Sequence, residues 1–164
     1  MSYLETERLI LRTWMPNDAS AWFPIITKED VNRYLAGPYR NADDVRAWID
    51  RQIEEQDREG FSRWPVVRKS DGALIGRCGL HRTEHGFVEI AWVFDSAVWG
   101  QGYAREAATA VLDFAFGTLA LPVVYALVDP RNAPSIALVY RLGFRFDRVV
   151  RAYKRDMLRY ERHA

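Results

Sequence analysis

Apolar residues along the chain change their spacing from stretch to stretch, and the changes lay out strands and helices. Leu9 to Trp14 alternates loosely and reads as a strand. Pro16 then starts a helix carrying Trp22, Phe23, Ile25 and Ile26, which Pro24 is expected to perturb. Gly37-Pro38 punctuates the chain. Asn41 is placed to cap a second helix with Val45, Trp48, Ile49 and Ile53 on one face, and Gly60 ends it. Trp64 to Arg68 and Ala73 to Leu80 flank Asp71-Gly72, a strong hairpin signal. Gly86 to Phe94 continues as a third antiparallel strand. A long helix follows from about Gln101 to Phe116, then a strand from Val123 to Val128 and a short helix from Asn132. Two last strands fall around Phe144–Val150 and Asp156–Tyr160. The order is β-αα-βββ-α-β-α-ββ. A meander followed by a βαβ unit predicts an α/β fold, with a mixed, mostly antiparallel sheet and helices on both faces. No repeat, linker or low-complexity segment intervenes, so residues 1–164 read as one domain.

Composition narrows the class. A chain of 164 residues can bury a sizeable core. It has one cysteine, Cys78, so no internal disulfide framework is expected, and the thiol reads as a core residue. No run of eighteen apolar residues predicts a membrane span, and MSYLETERLI lacks the layout of a signal peptide, so a cytoplasmic protein without a membrane partner is expected. The net charge of +1 argues against a general nucleic-acid binder. Charge is unevenly spread. Residues 41–59 are rich in acids, and the tail carries Arg141, Arg145, Arg148, Arg151, Arg155 and Arg159. Such runs read first as solvated faces, and second as an acidic helix drawing an amine toward a site. His81, His85 and His163 have no ligand spacing, so no metal is expected.

The richest stretch is VEIAWVFDSAVWGQGYARE, residues 88–106. A hydrophobic strand enters a glycine-bearing loop, and the loop enters an alanine-rich helix. Free amides at a helix start converge where the dipole is positive, which makes an anion cradle. Downstream, NAPSIALVYRLGF (residues 132–144) opens with an N-capping asparagine and closes with Gly143 as a helix stop. These two segments, together with ETERLILRTW at residues 5–14, resemble the GNAT superfamily of acetyl-CoA-dependent N-acetyltransferases, in particular its ribosomal-protein-alanine branch. The resemblance runs in order along nearly the whole chain. It implies a fold in which the strand before the loop and the strand after the long helix splay apart, with acetyl-CoA lying in the gap as co-substrate. The implied acceptor is an amine, either a protein N-terminus or a small molecule, and a homodimer is allowed but not required.

Amide formation from a thioester needs a neutral amine, and amines arrive mostly protonated near neutral pH. Glu89, mid-strand between Val88 and Ile90, is the candidate base, because apolar surroundings would raise its pKa. The other reading of Glu89 is an exposed strand residue paired with an arginine across the sheet. Asp95 is expected to shape the turn. By resemblance, Val93 and Phe94 offer backbone groups to the pantetheine arm, and Trp99, Gly100, Gln101, Gly102, Tyr103 and Ala104 form the pyrophosphate loop. Trp99 stands where the superfamily pattern has glutamine or arginine. Arg105 is a candidate phosphate partner, since a purely structural arginine in a first helical turn opposes the dipole. Asn132 matches the family asparagine that contacts the cofactor arm, and it can also cap its helix. The family's usual tyrosine acid would fall at Val139. Tyr140 comes one residue later, a rotation of about 100° on a helix, so the branch's serine, Ser135, is the candidate partner of the leaving thiolate. Trp22, Phe23, Tyr34 and Tyr39 fall in the region that lines the acceptor side in the family, and most of them read as core. The expected activity is N-acetyl transfer. The alternatives are a non-catalytic acyl-CoA-binding module and a transferase using another acyl donor such as succinyl-CoA.

Overall fold

Strand and helix periodicities sort into a single sheet with helices against both faces. The computed structural model describes residues 2–35 and 39–164, so Gly37-Pro38 lies outside the described residues. The chain runs β1 (Ser2–Glu5), β2 (Leu9–Arg12), α1 (Asp18–Ile26), the single turn α2 (Glu29–Asn32), α3 (Ala42–Glu59), β3 (Arg63–Arg68), β4 (Leu74–Arg82) and β5 (Val88–Phe94). It continues through α4 (Tyr103–Asp113), β6 (Val123–Val128), α5 (Ala133–Arg141), β7 (Arg145–Ala152) and β8 (Arg155–His163). The strands form one open eight-stranded sheet in the order β1-β2-β3-β4-β5-β6-β8-β7. Every neighbouring pair is antiparallel except β5 and β6, which run parallel.

Most local signals act as their chemistry dictates. The Asn41 side chain accepts the Asp44 amide at 2.9 Å and starts α3, and Gly60 ends it with φ of 78°. Beyond the added single turn α2, four details differ from the sequence expectation. Residues 2–5 add an edge strand with a bulged register, too short to show a period of two. The strand expected to reach Trp14 stops at Arg12, and Trp14 leaves the sheet to pack on Trp22 and Trp48. Pro24 does not break α1, because it faces solvent near the helix end, where a freed carbonyl can meet water. The long helix ends early as α-helix at Asp113 and widens into a π-helical turn at Phe114–Thr118, with the Leu119 amide on the Phe114 carbonyl at 3.0 Å.

Alternation divides the core between the two faces. Trp64, Cys78, Leu80, Ile90, Val124 and Ala126 pack against Val111 and Leu112 of α4 and Val139 of α5. On the other face, Val93 joins Trp14, Trp22 and Ile26 from the first helical region and Val45, Trp48 and Ile49 of α3. The cleft opens on that second face. Among the described residues no helix is long and apolar enough to cross a membrane.

Candidate active site

The cleft starts where two parallel strands separate. Among the described residues β5 and β6 share one ladder position, Glu89 opposite Tyr125. Beyond it, from Ile90 to Phe94, β5 keeps its β4 partners and loses β6. Val93 and Phe94 therefore lie on a strand whose β6 edge has unpaired backbone groups. The space that opens is a cleft of about 960 Å³, within the range of small-molecule sites. Residues from the first helical region, β4, β5, the glycine loop, β6, α5 and the β7–β8 turn line it.

The loop at the mouth is held by its own polar groups. The Asp95 carboxylate accepts the Ala97 amide at 3.1 Å and pairs with Lys28, so it shapes the turn as its position suggests. The Trp99 indole donates to the Phe94 carbonyl at 3.0 Å, tying the loop back to the end of β5. Gly100 and Gly102 have φ of 76° and 82°, left-handed values that a side chain resists. A Cβ on Gly100 would meet nothing within 4 Å. The amides of Gly102, Tyr103, Ala104 and Arg105 find no backbone acceptor among the described residues, and the Glu106 amide is the first to bond, to Gly102 at 3.1 Å. Arg8 braces the loop from below. It lies over the Tyr103 ring at 4.3 Å, donates to the Gln101 carbonyl at 2.9 Å and pairs with Glu106 at 2.6 Å. Arg105 is exposed and forms no ion pair among the described residues. Four free amides, room beside Gly100 and a free arginine fit a pyrophosphate.

On the opposite wall, Asn132 caps α5 by accepting the Ser135 amide at 3.3 Å. Both residues line the cleft, and the Ser135 hydroxyl has no partner among the described residues. Val139 is fully buried in the core. Tyr140 points away from the cleft and meets the Tyr160 ring at 5.5 Å. Burial and the neighbouring Tyr140 push the Tyr160 hydroxyl up to about 12.

Glu89 lines the cleft at the separation point, and among the described residues no hydrogen bond or ion pair engages its carboxylate. Burial raises its pKa, opposed by the nearby charges of His81, Arg63 and Arg159. Directly across the β4–β5 ladder is His81, whose Nδ1 lies 2.7 Å from the buried carboxylate of Glu55 on α3. Arg63 of β3 reaches the same carboxylate at 3.8 Å and Gln52 at 3.1 Å.

Sequence spacing did not single out His81, Glu55, Arg63 or Arg77 as site residues. Glu55 sat inside an acidic run read mainly as solvated, yet it is only 5 % exposed. The tail arginines are likewise divided. Arg155 pairs with the buried Asp129 at 3.1 Å, and Arg159 pairs with Asp147 and lies 4.8 Å over Tyr125. Of the early aromatics, Trp22 is core, while Tyr34 and Tyr39 line the cleft.

The model of the family described as "Acetyltransferase (GNAT) domain" matches residues 8–145. The chain is 31% identical over 159 residues to the uncharacterized N-acetyltransferase p20 of Bacillus licheniformis, covering 94% of this chain and 89% of that protein. It is 27% identical over 146 residues to the spermidine N(1)-acetyltransferase of Escherichia coli, covering 79% and 75%. A solved acetyltransferase from Agrobacterium tumefaciens superposes with a TM-score of 0.88 at 28% identity, over 100% of this chain and 95% of that one.

Proposed function

The chain belongs to the GNAT acetyltransferase family and is an N-acetyltransferase, and from that membership we propose that it transfers the acetyl group of acetyl-CoA to a primary amine, of a protein N-terminus or a small molecule, by direct attack, with Glu89 as the base. The observation that carries this reading is the separation of β5 from β6 at Glu89, with the free amides of the glycine loop at the cleft mouth. Acetyl-CoA supplies the acetyl group as a thioester, whose carbonyl accepts a neutral amine and whose thiolate leaves readily.

The residues divide the remaining work. The amides of Gly102 to Arg105 and the Arg105 side chain hold the pyrophosphate, with Trp99, Gly100 and Gln101 shaping the loop around it. The open β6 edge of β5 beside Val93 and Phe94 faces the pantetheine arm, with the Phe94 carbonyl already held by Trp99, and the Asn132 side-chain nitrogen, free of the capping duty of its oxygen, adds a donor. Glu89 takes a proton from the acceptor ammonium, a task suited to a carboxylate whose pKa burial has raised. As the N–C bond forms and the C–S bond breaks, unpaired β5 amides meet the negative charge developing on the carbonyl oxygen. Ser135 donates a hydrogen bond to the departing sulfur, which leaves as a thiolate and takes up the proton that the newly bonded nitrogen sheds.

Release of free thiol from acetyl-CoA against a panel of peptides, polyamines and amino acids tests the reading. Release that depends on an added amine supports it. Bound acetyl-CoA with no release for any amine, or faster release from succinyl-CoA, contradicts it.

A further inference from the structure

Arg77 is the residue that the reading above leaves without a task. It stands in β4, opposite Pro65 on β3 and Val93 on β5, on the same sheet face as His81 and Glu89. It lines the cleft and is only 6 % exposed. Its guanidinium lies 4.6 Å from the Trp48 ring centroid. Nε and Nη1 are buried without a hydrogen-bond partner, and no carboxylate pairs with the group among the described residues. Burial pulls its pKa down to about 10, so it remains a cation at neutral pH.

Among the described residues no carboxylate is paired with it, and Glu89 stands four residues further along the ladder, opposite His81. Arg63 is the neighbouring charge and has the same sign. Glu55, the acid on α3, is already engaged by His81 and Arg63. Tyr39 and Tyr153 flank both arginines and bring no carboxylate. Arg155, half-buried in the same cleft, differs in having a counterion: Asp129 pairs with one terminal nitrogen at 3.1 Å and the Tyr34 carbonyl accepts from the other at 2.7 Å, although its Nε also lacks a partner. A buried cation without an anionic partner is unfavourable for folding, and the place of Arg77 on the cleft wall lets that partner come from outside. The guanidinium fork matches the geometry of a carboxylate or phosphate, and Trp48 at its face leaves the edge for the ligand.

We propose that the acceptor carries an oxyanion, a carboxylate or phosphate, in addition to its amine, and that Arg77 binds this group on the acceptor side of the cleft. The proposal rests on the acetyl-transfer reading and adds the substrate class. It also sets this chain apart from the spermidine acetyltransferase it resembles, since a polycation reaching Arg63 and Arg77 would meet like charge.

The test compares ω-amino acids with their amides, and O-phosphoethanolamine with ethanolamine, at saturating acetyl-CoA. Wild-type protein is compared with Arg77→Met and Arg77→Lys. The oxyanion-bearing amine of each pair is expected to win by roughly 10–100-fold in kcat/KM, the range of a charge-assisted hydrogen bond, mainly through KM. Which pair shows the larger ratio separates carboxylate from phosphate. Arg77→Met should abolish the preference and Arg77→Lys should keep part of it. Without ligand, Arg77→Met should melt higher than wild type, whereas loss of a purely structural residue would lower the melting temperature. Glutarate and inorganic phosphate provide a readout that needs no turnover, since at least one should raise the melting temperature of wild type and not of Arg77→Met. Equal turnover within both pairs, an unchanged preference in Arg77→Met, or no shift with either anion overturns the proposal. Acetyl-CoA melting shifts, measured alongside, report separately on the donor reading.

Discussion

At the mouth of the cleft, Gly102, Tyr103, Ala104 and Arg105 present backbone amides to one small region; across the sheet face, Arg63, Arg77, His81 and Glu89 present polar side chains from three strands. The first set is contiguous in sequence, and its arrangement follows from backbone angles set by two glycines. The second is assembled by strand register, with Glu55 and Gln52 of α3 arriving from behind. A donor common to a whole family can be held by backbone, which tolerates change in side chains. On the proposed reading the second set meets the acceptor, and side chains can change there without disturbing the loop.

The largest expected effect falls on the acceptor side. Glu89→Gln removes the proton acceptor and keeps the shape. Turnover should fall roughly 10²–10⁴-fold while acetyl-CoA affinity stays near wild type. The sign of the pH dependence follows from burial. A carboxyl whose pKa is raised becomes an active base only above that raised value, so the acidic limb of the rate profile should lie above the usual carboxylate range. Glu89→Gln should erase that limb, and its deficit should shrink at high pH, where the amine deprotonates unaided. Full activity at neutral pH would remove Glu89 from the reaction.

On the donor side, Gly102→Val places a β-branched side chain at φ of 82°, where its Cβ also meets Arg8 Nη2 at 3.4 Å. The backbone strain should cost about 1–2 kcal/mol of stability. Acetyl-CoA affinity should fall by more than this strain alone explains, at least about tenfold (~1.4 kcal/mol) in protein shown to be folded. Calorimetry with unchanged affinity would move the cradle elsewhere. The two variants together separate the halves, since one should alter turnover without donor affinity and the other should alter donor affinity first.

The same division explains what could be read from the sequence. The glycine spacing at 100 and 102 and the capping asparagine at 132 are local features, and each stands where local chemistry puts it. β6 can be bounded in the sequence because Val123–Val128 is an unbroken apolar run between Pro122 and Asp129-Pro130. His81 and Arg77 sit in a strand with a continuous buried run, so no alternation marks which of its residues face the cleft. Their importance depends on α3 and β5 lying beside them, and a single sequence does not encode that in spacing. Glu55 was obscured by its acidic neighbours, several of which are solvated. Tyr140 is the opposite case, because one residue of helical rotation was enough to place it outside the cleft.

The smallest effect is expected at α5. Ser135→Ala should lower activity modestly, because a thiolate leaves with little protonation, and Tyr140→Phe should cost less. Melting temperatures come first, since Ser135 sits in the capped first turn of α5 and Tyr140 packs on Tyr160. A damaged Tyr140→Phe with a silent Ser135→Ala would mean that α5 turns in the working enzyme.

Binding of acetyl-CoA by the backbone between β5 and α4 can be measured directly, without any choice of acceptor. A ligand that binds only the folded state raises the unfolding temperature with concentration. Acetyl-CoA should raise it progressively into the millimolar range, with acetate and adenosine producing no comparable shift, and Gly102→Val should show a weaker shift than wild type. No shift at millimolar acetyl-CoA, or the same shift in Gly102→Val, would contradict binding there.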